Sequence, residues 1–155
     1  MSFQISGLPV APYAPFFGLP DADLAKHGIL RHTATEFPGF PCRVSLRDAE
    51  PGQTLLLLNY EHLDVATPYR SRYAIYVREY AEEARVAVDE VPDVLRRRLL
   101  SLRAFDKRGM LVDCDVAEGR DIEPIIGRLL GQPEVDYIHV HNAKPGCFAA
   151  RVDRA

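Results

Sequence analysis

The sequence predicts an α+β fold, a mainly antiparallel sheet built from hairpins with one amphipathic helix packed on a face. Three observations carry that prediction. Short β-favouring runs such as TLLLLN (Thr54 to Asn59) and YAIYVR (Tyr73 to Arg78) are separated by turn signals rather than by long helices. Leu99 to Phe105 and Met110 to Val116 flank Asp-Lys-Arg-Gly, a hairpin connection with glycine at its last position. The segment from Ile122 to Leu130 places Ile122, Ile125, Ile126, Leu129 and Leu130 on one helical stripe, which must be buried against something.

Taken in order, Phe3 to Ser6 reads as a short edge strand. Gly7 to Pro20 carries Tyr13, Phe16 and Phe17 among prolines, which remove amide donors and favour extended geometry, so residues 1–20 form a Pro- and aromatic-rich arm. Asp21 to Leu30 reads as a short helix capped by Asp21. CRVSL (Cys42 to Leu46) alternates, and with DAEPGQ as the turn it makes a hairpin with Leu55 to Asn59. Tyr60 to Ser71 reads as a polar connection, and Pro92 as the first turn of a brief helix. Asp121 is placed to cap the 122–130 helix, which Gly131 and Pro133 end. A last hairpin joins Val135–His141 to Cys147–Val152. No repeat or composition break divides the chain, so 1–155 reads as one domain.

At 155 residues the chain is long enough for one hydrophobic core, and its 47% apolar and 26% charged residues are those of a soluble globular protein. A net charge of −3 gives no basic field for nucleic acid or acidic lipid. No apolar run approaches a bilayer span, and Pro9, Pro12, Pro15 and Pro20 interrupt the N-terminal stretch, so neither a membrane anchor nor a secretory leader is expected. Three widely spaced cysteines form no disulfide framework, which points to a cytoplasmic protein with reduced thiols.

Chemically capable side chains concentrate in YIHVHNAKPGCFAAR, Tyr137 to Arg151. Tyr137, His139 and His141 share one strand face, a spacing that suits two ligands of one Zn²⁺ or a polar cluster. Further ligands for a metal would have to come from His62, Asp64, Asp113 or Asp115. Cys147 joins the histidine face if the hairpin loop has an odd number of residues. With a loop of Ala143 to Gly146 it pairs with Asn142 and points away. Gly146 suits the last loop position either way. Cys42 and Cys114 alternate with apolar residues and read as small buried hydrophobes. Of the basic residues, 16 are Arg and 3 are Lys, and Arg forks bind carboxylate or phosphate through two bonds. Arg43, Arg70 and Arg151, with Tyr137 and Asn142, are the ligand-binding candidates.

FPGFPCRVSLRDAEPGQ, the PYR of Pro68 to Arg70, and YIHVHNAKPGCFAARVDRA together resemble a bacterial family known as domain of unknown function 1203. The resemblance covers about 37–155 and is most specific at the C-terminal segment. It implies a bacterial single-domain protein, and it brings no activity, ligand or catalytic residue with it. The residues themselves favour a small-ligand, anion-binding or regulatory protein with an Arg/Tyr/His pocket near the last hairpin. The alternative is an enzyme, a metal-dependent hydrolase or a thiol-based one, centred on His139, His141 and Cys147. Homodimerisation through the arm or a sheet edge is a further option. There is no Gly-rich phosphate loop, GxSxG or HExxH.

Overall fold

Antiparallel pairing dominates, as the alternating segments predict. The computed structural model describes residues 1–155. A five-stranded sheet runs in the order β1 (Phe3–Ser6), β10 (Phe148–Arg154), β9 (Tyr137–Asn142), β7 (Leu99–Phe105) and β8 (Leu111–Glu118). A second sheet is ordered β2 (Leu30–Thr33), β5 (Thr54–Leu63), β6 (Ser71–Arg78), and β3 (Pro41–Cys42) pairs with β4 (Arg47–Asp48). Three short helices complete the chain, α1 (Asp21–Ala25), α2 (Asp93–Arg96) and α3 (Glu123–Leu130). None is long and apolar enough to cross a membrane.

The chain folds as two compact units. One holds Met1–Ser6, Glu61–Tyr73 and Arg85–Ala155; the other holds Gly7–Tyr60 and Ala74–Ala84. Both are assembled from separated segments, so no linker marks them in the sequence.

In the second unit the proline-rich arm is not a free tail. Tyr13 is buried, Phe16 meets the His27 ring edge-on at 5.1 Å, and Phe17 packs on Tyr80 at 5.4 Å. Helix α1 begins at Asp21 behind Pro20, so Asp21 is its first residue rather than its cap, and Gly28 at φ +70° follows its end. The expected Cys42–Leu46 strand is a turn instead. Leu46 adopts φ +52°, and the amide of Leu46 donates to the Cys42 carbonyl at 3.1 Å. Its apolar residues Cys42, Val44 and Leu46 are nonetheless buried, so they read correctly as core and incorrectly as strand. Leu55 to Leu57 pair with β2 rather than with that segment. Arg31 forks onto the buried Glu79, whose carboxyl is held down to about 2, first by Arg31.

The first unit positions the site. Strands β7, β9 and β10 are central and read as expected, and the register of their pairing fixes which side chains share a face. Val152, Ile138, Ala104 and Asp113 form one row across β10, β9, β7 and β8; Ala150, Val140, Leu102 and Asp115 form the next. Helix α3 packs on that side. Its Ile126, Leu129 and Leu130 are buried, and its Arg128 donates to both Asp113 and Asp115 at 2.8 and 2.7 Å. Ile122 occupies the N-cap position expected for Asp121, with no side-chain cap bond. The edge strand β8 is protected by its own acids. The amides of Cys114 and Val116 donate to the carboxylates of Asp113 and Asp115, leaving fewer donors for a foreign strand.

Candidate functional site

The opposite face of this sheet has different chemistry. Because side chains alternate along a strand, β9 sends Ile138, Val140 and Asn142 toward α3 and Tyr137, His139 and His141 away from it. Register then builds a row Arg151, His139, Arg103, Cys114 from β10 to β8. Beside it runs the row Phe148, His141, Ser101, Val116, and on the other side Tyr137 pairs with Phe105. Strand β5 is ten residues long and extends through the segment expected to be a connection. Its last turn of alternation brings His62 over the face, with Leu63 in an apolar cluster beside Phe105 and Tyr137.

Three imidazoles therefore meet. The His62 ring lies 4.8 Å from His141 and 6.2 Å from His139, centroid to centroid, and it stacks on Phe148 with planes 14° apart. Phe105 and Phe148 pack edge-on against His139 at 5.6 and 5.1 Å. His139 is 5% exposed and His141 1%. The Nδ1 of His141 lies 2.9 Å from the Gly146 carbonyl, which can only accept, so Nδ1 is the donor of this bond. Gly146 makes this turn at φ +80°, as the sequence predicts. The Nδ1 atoms of His139 and His62 are buried without a hydrogen-bond partner.

Electrostatics keep two of these rings neutral. Burial pushes His139 down to about 3, and His141, His62, Arg151 and Arg103 push the same way. Burial, then Arg103, also lowers His62. Both cations stand directly opposite His139 on the neighbouring strands, so an imidazolium there would face like charge from two sides. The two arginines differ in one respect. Arg151 forks onto Asp153 at 2.7 to 3.0 Å and lies 4.2 Å over the Tyr137 ring, so its charge is balanced. Arg103 is half-buried, donates only to the Ser101 hydroxyl at 3.3 Å, and has no carboxylate against it. Desolvation makes its guanidinium less basic than usual.

The sequence candidates distribute as follows. Tyr137, His139, His141 and Arg151 come together on this face. Arg70 sits on an exposed part of the same unit and is spent on Glu61, at 3.1 and 3.3 Å, with Asp64 near. Arg43 belongs to the other unit, where its guanidinium donates to the Pro41 carbonyl at 2.6 Å. The last hairpin takes the four-residue loop. The Asn142 amide donates to the Cys147 carbonyl, and Phe148, not Cys147, pairs with His141. Cys147 thus shares the Asn142 side, where the Asn142 amide nitrogen contacts its sulfur at 3.6 Å. Register therefore does not assemble the expected Cys147–histidine arrangement. No set of three or more His, Cys, Asp or Glu side chains is arranged to hold a metal ion. Cys114, expected in the core, is exposed beside Arg103 at the edge of the sheet.

Arg103 is the residue that reading the sequence missed. The sequence marks it only as a lone cation inside the apolar strand LLSLRAF, and its place beside His139 comes from the β7–β9 pairing.

No curated protein and no solved structure matches the chain. A family model described as protein of unknown function (DUF1203) matches residues 39–154 of the 155. The match takes in β5, β7, β8, β9 and β10 and the C-terminal segment that carries the resemblance, and the chain belongs to the DUF1203 family.

Proposed function

We propose that this protein binds a small anionic ligand on the histidine face, with Arg103 as the charged contact and His139 and His62 as neutral polar contacts. One observation carries the reading. A half-buried guanidinium without a counter-charge stands in register with a buried imidazole whose nitrogen has no partner. Each such group is costly to bury unless something satisfies it, and an anion with a further polar atom would satisfy both. The earlier candidates Tyr137 and Arg151 form the wall of this site rather than its charge, because Asp153 already balances Arg151. A regulatory role through ligand-dependent stability follows from the same chemistry.

A second reading, an enzyme working through the same imidazoles, is favoured by the His141–Gly146 bond, which fixes one tautomer as a general base requires. A cytoplasmic setting fits three cysteines of which none forms a disulfide, and a bacterial origin is what the family resemblance implies. The binding reading is tested by thermal shift of untagged protein against a panel of small anions, alongside Arg103→Gln. Wild type melts higher with at least one anion and the variant does not. No shift with any anion contradicts the proposal.

A further inference from the structure

Resting on the anion-binding reading of this face, we infer that the ligand is a small monocarboxylate carrying a hydroxyl or carbonyl oxygen on the carbon next to the carboxylate. The carboxylate sits on Arg103, and the second oxygen sits on the imidazoles of His139 and His62.

The charge count sets the first half. Of the two cations flanking His139, Arg151 is neutralised by Asp153 and Arg103 is not, so the face lacks one negative charge. A guanidinium fork takes a carboxylate through two parallel bonds. A phosphate dianion or a dicarboxylate brings a second charge, for which the face has no second unbalanced cation. The imidazoles are held neutral and do not supply one.

The unpartnered nitrogens set the second half. His139 Nδ1 and His62 Nδ1 are both buried and both lack a partner, and their rings are 6.2 Å apart. A neutral imidazole nitrogen donates or accepts according to tautomer, so it takes an uncharged hydroxyl or carbonyl oxygen equally well. Arg103 and His139 are cross-strand partners on one face, so one small ligand with its charge and its oxygen close together can reach both. Phe105 and Phe148 pack edge-on against His139, so the wall beside that ring is apolar.

The test is calorimetric titration of the full chain with propanoate, 2-hydroxypropanoate, 2-hydroxypropanamide and inorganic phosphate. The inference expects 2-hydroxypropanoate to bind about tenfold more tightly than propanoate, the worth of one well-made buried hydrogen bond. The amide does not bind, and phosphate is weaker than the hydroxy acid. Arg103→Gln abolishes binding of both acids. His139→Leu closes the gap between them by weakening only the hydroxy acid. His62→Phe, at a half-buried position stacked on Phe148, does the same and serves where His139→Leu does not fold. Equal affinities for the two acids, both lost in Arg103→Gln, would overturn the ligand class and leave anion binding standing. A gap that survives both histidine variants would overturn the histidine contacts. No binding of either acid or of phosphate would overturn the inference together with the reading beneath it.

Discussion

Two faces of one sheet, both buried, are built to opposite rules. Toward α3, Ile138, Val140, Leu102, Ala104 and Val152 meet the apolar side chains of Ile126, Leu129 and Leu130, and only at the end of β9 does a buried polar atom without a hydrogen-bond partner lie on that side, the Oδ1 of Asn142. On the other side His139 and His141 are buried as deeply, yet polar nitrogens on His139 and His62 lack partners and Arg103 lacks a counter-charge. An unsatisfied buried polar group costs about 1–3 kcal/mol, whereas apolar burial stabilises. The α3 side accounts for the fold. The histidine side carries the two unpartnered imidazole nitrogens and the unbalanced guanidinium on which the proposed binding of an anion rests.

Cutting the apolar side should cost most. Leu129→Ala and Leu102→Ala each remove a fully buried side chain, and urea melts should show losses of about 2–5 kcal/mol. Acid should weaken the other side. His139 has a folded value of about 3 against an unfolded value near 6.5, so the unfolded chain binds the proton first. Stability is complete above pH 6.5 and falls as pH drops toward 3, by at most about 1.4 kcal/mol per pH unit for this group. Chemical melts between pH 4.5 and 7.5 should show that slope flattened in His139→Leu. At pH 7.5 the same variant should be neutral or up to about 1 kcal/mol more stable than wild type, although it alters a buried residue. A loss as large as that of Leu129→Ala would erase the contrast between the faces. Arg70→Ala, an exposed ion pair outside both faces, should leave the melting temperature unchanged.

Much of this contrast was readable before the fold. The alternation YIHVHN assigns the two faces of β9 correctly, and the 122–130 stripe identifies the helix that covers one of them. Loop parity was not readable, because Gly146 fits either loop and only the backbone pairing sends Cys147 to the Asn142 side. His62 reads as part of a connection because EHLD is polar, yet cross-strand pairing extends β5 through it. Cys42–Leu46 alternates like a strand but is a turn whose apolar side chains are core, so pattern reported burial and not backbone. Arg103 could be located only by knowing that β7 sits next to β9, a long-range pairing that no local period encodes.

The most direct test of the central claim is a long-range proton–nitrogen spectrum of the five histidine side chains at pH 7, with and without 2-hydroxypropanoate. Neutral imidazoles are expected at His62 and His139, and a protonated Nδ1 at His141. The His62 and His139 nitrogens should shift on adding the acid in wild type and stay fixed in Arg103→Gln. Protonated rings at His62 and His139, or nitrogens unmoved by 2-hydroxypropanoate, propanoate and phosphate alike, would contradict that claim.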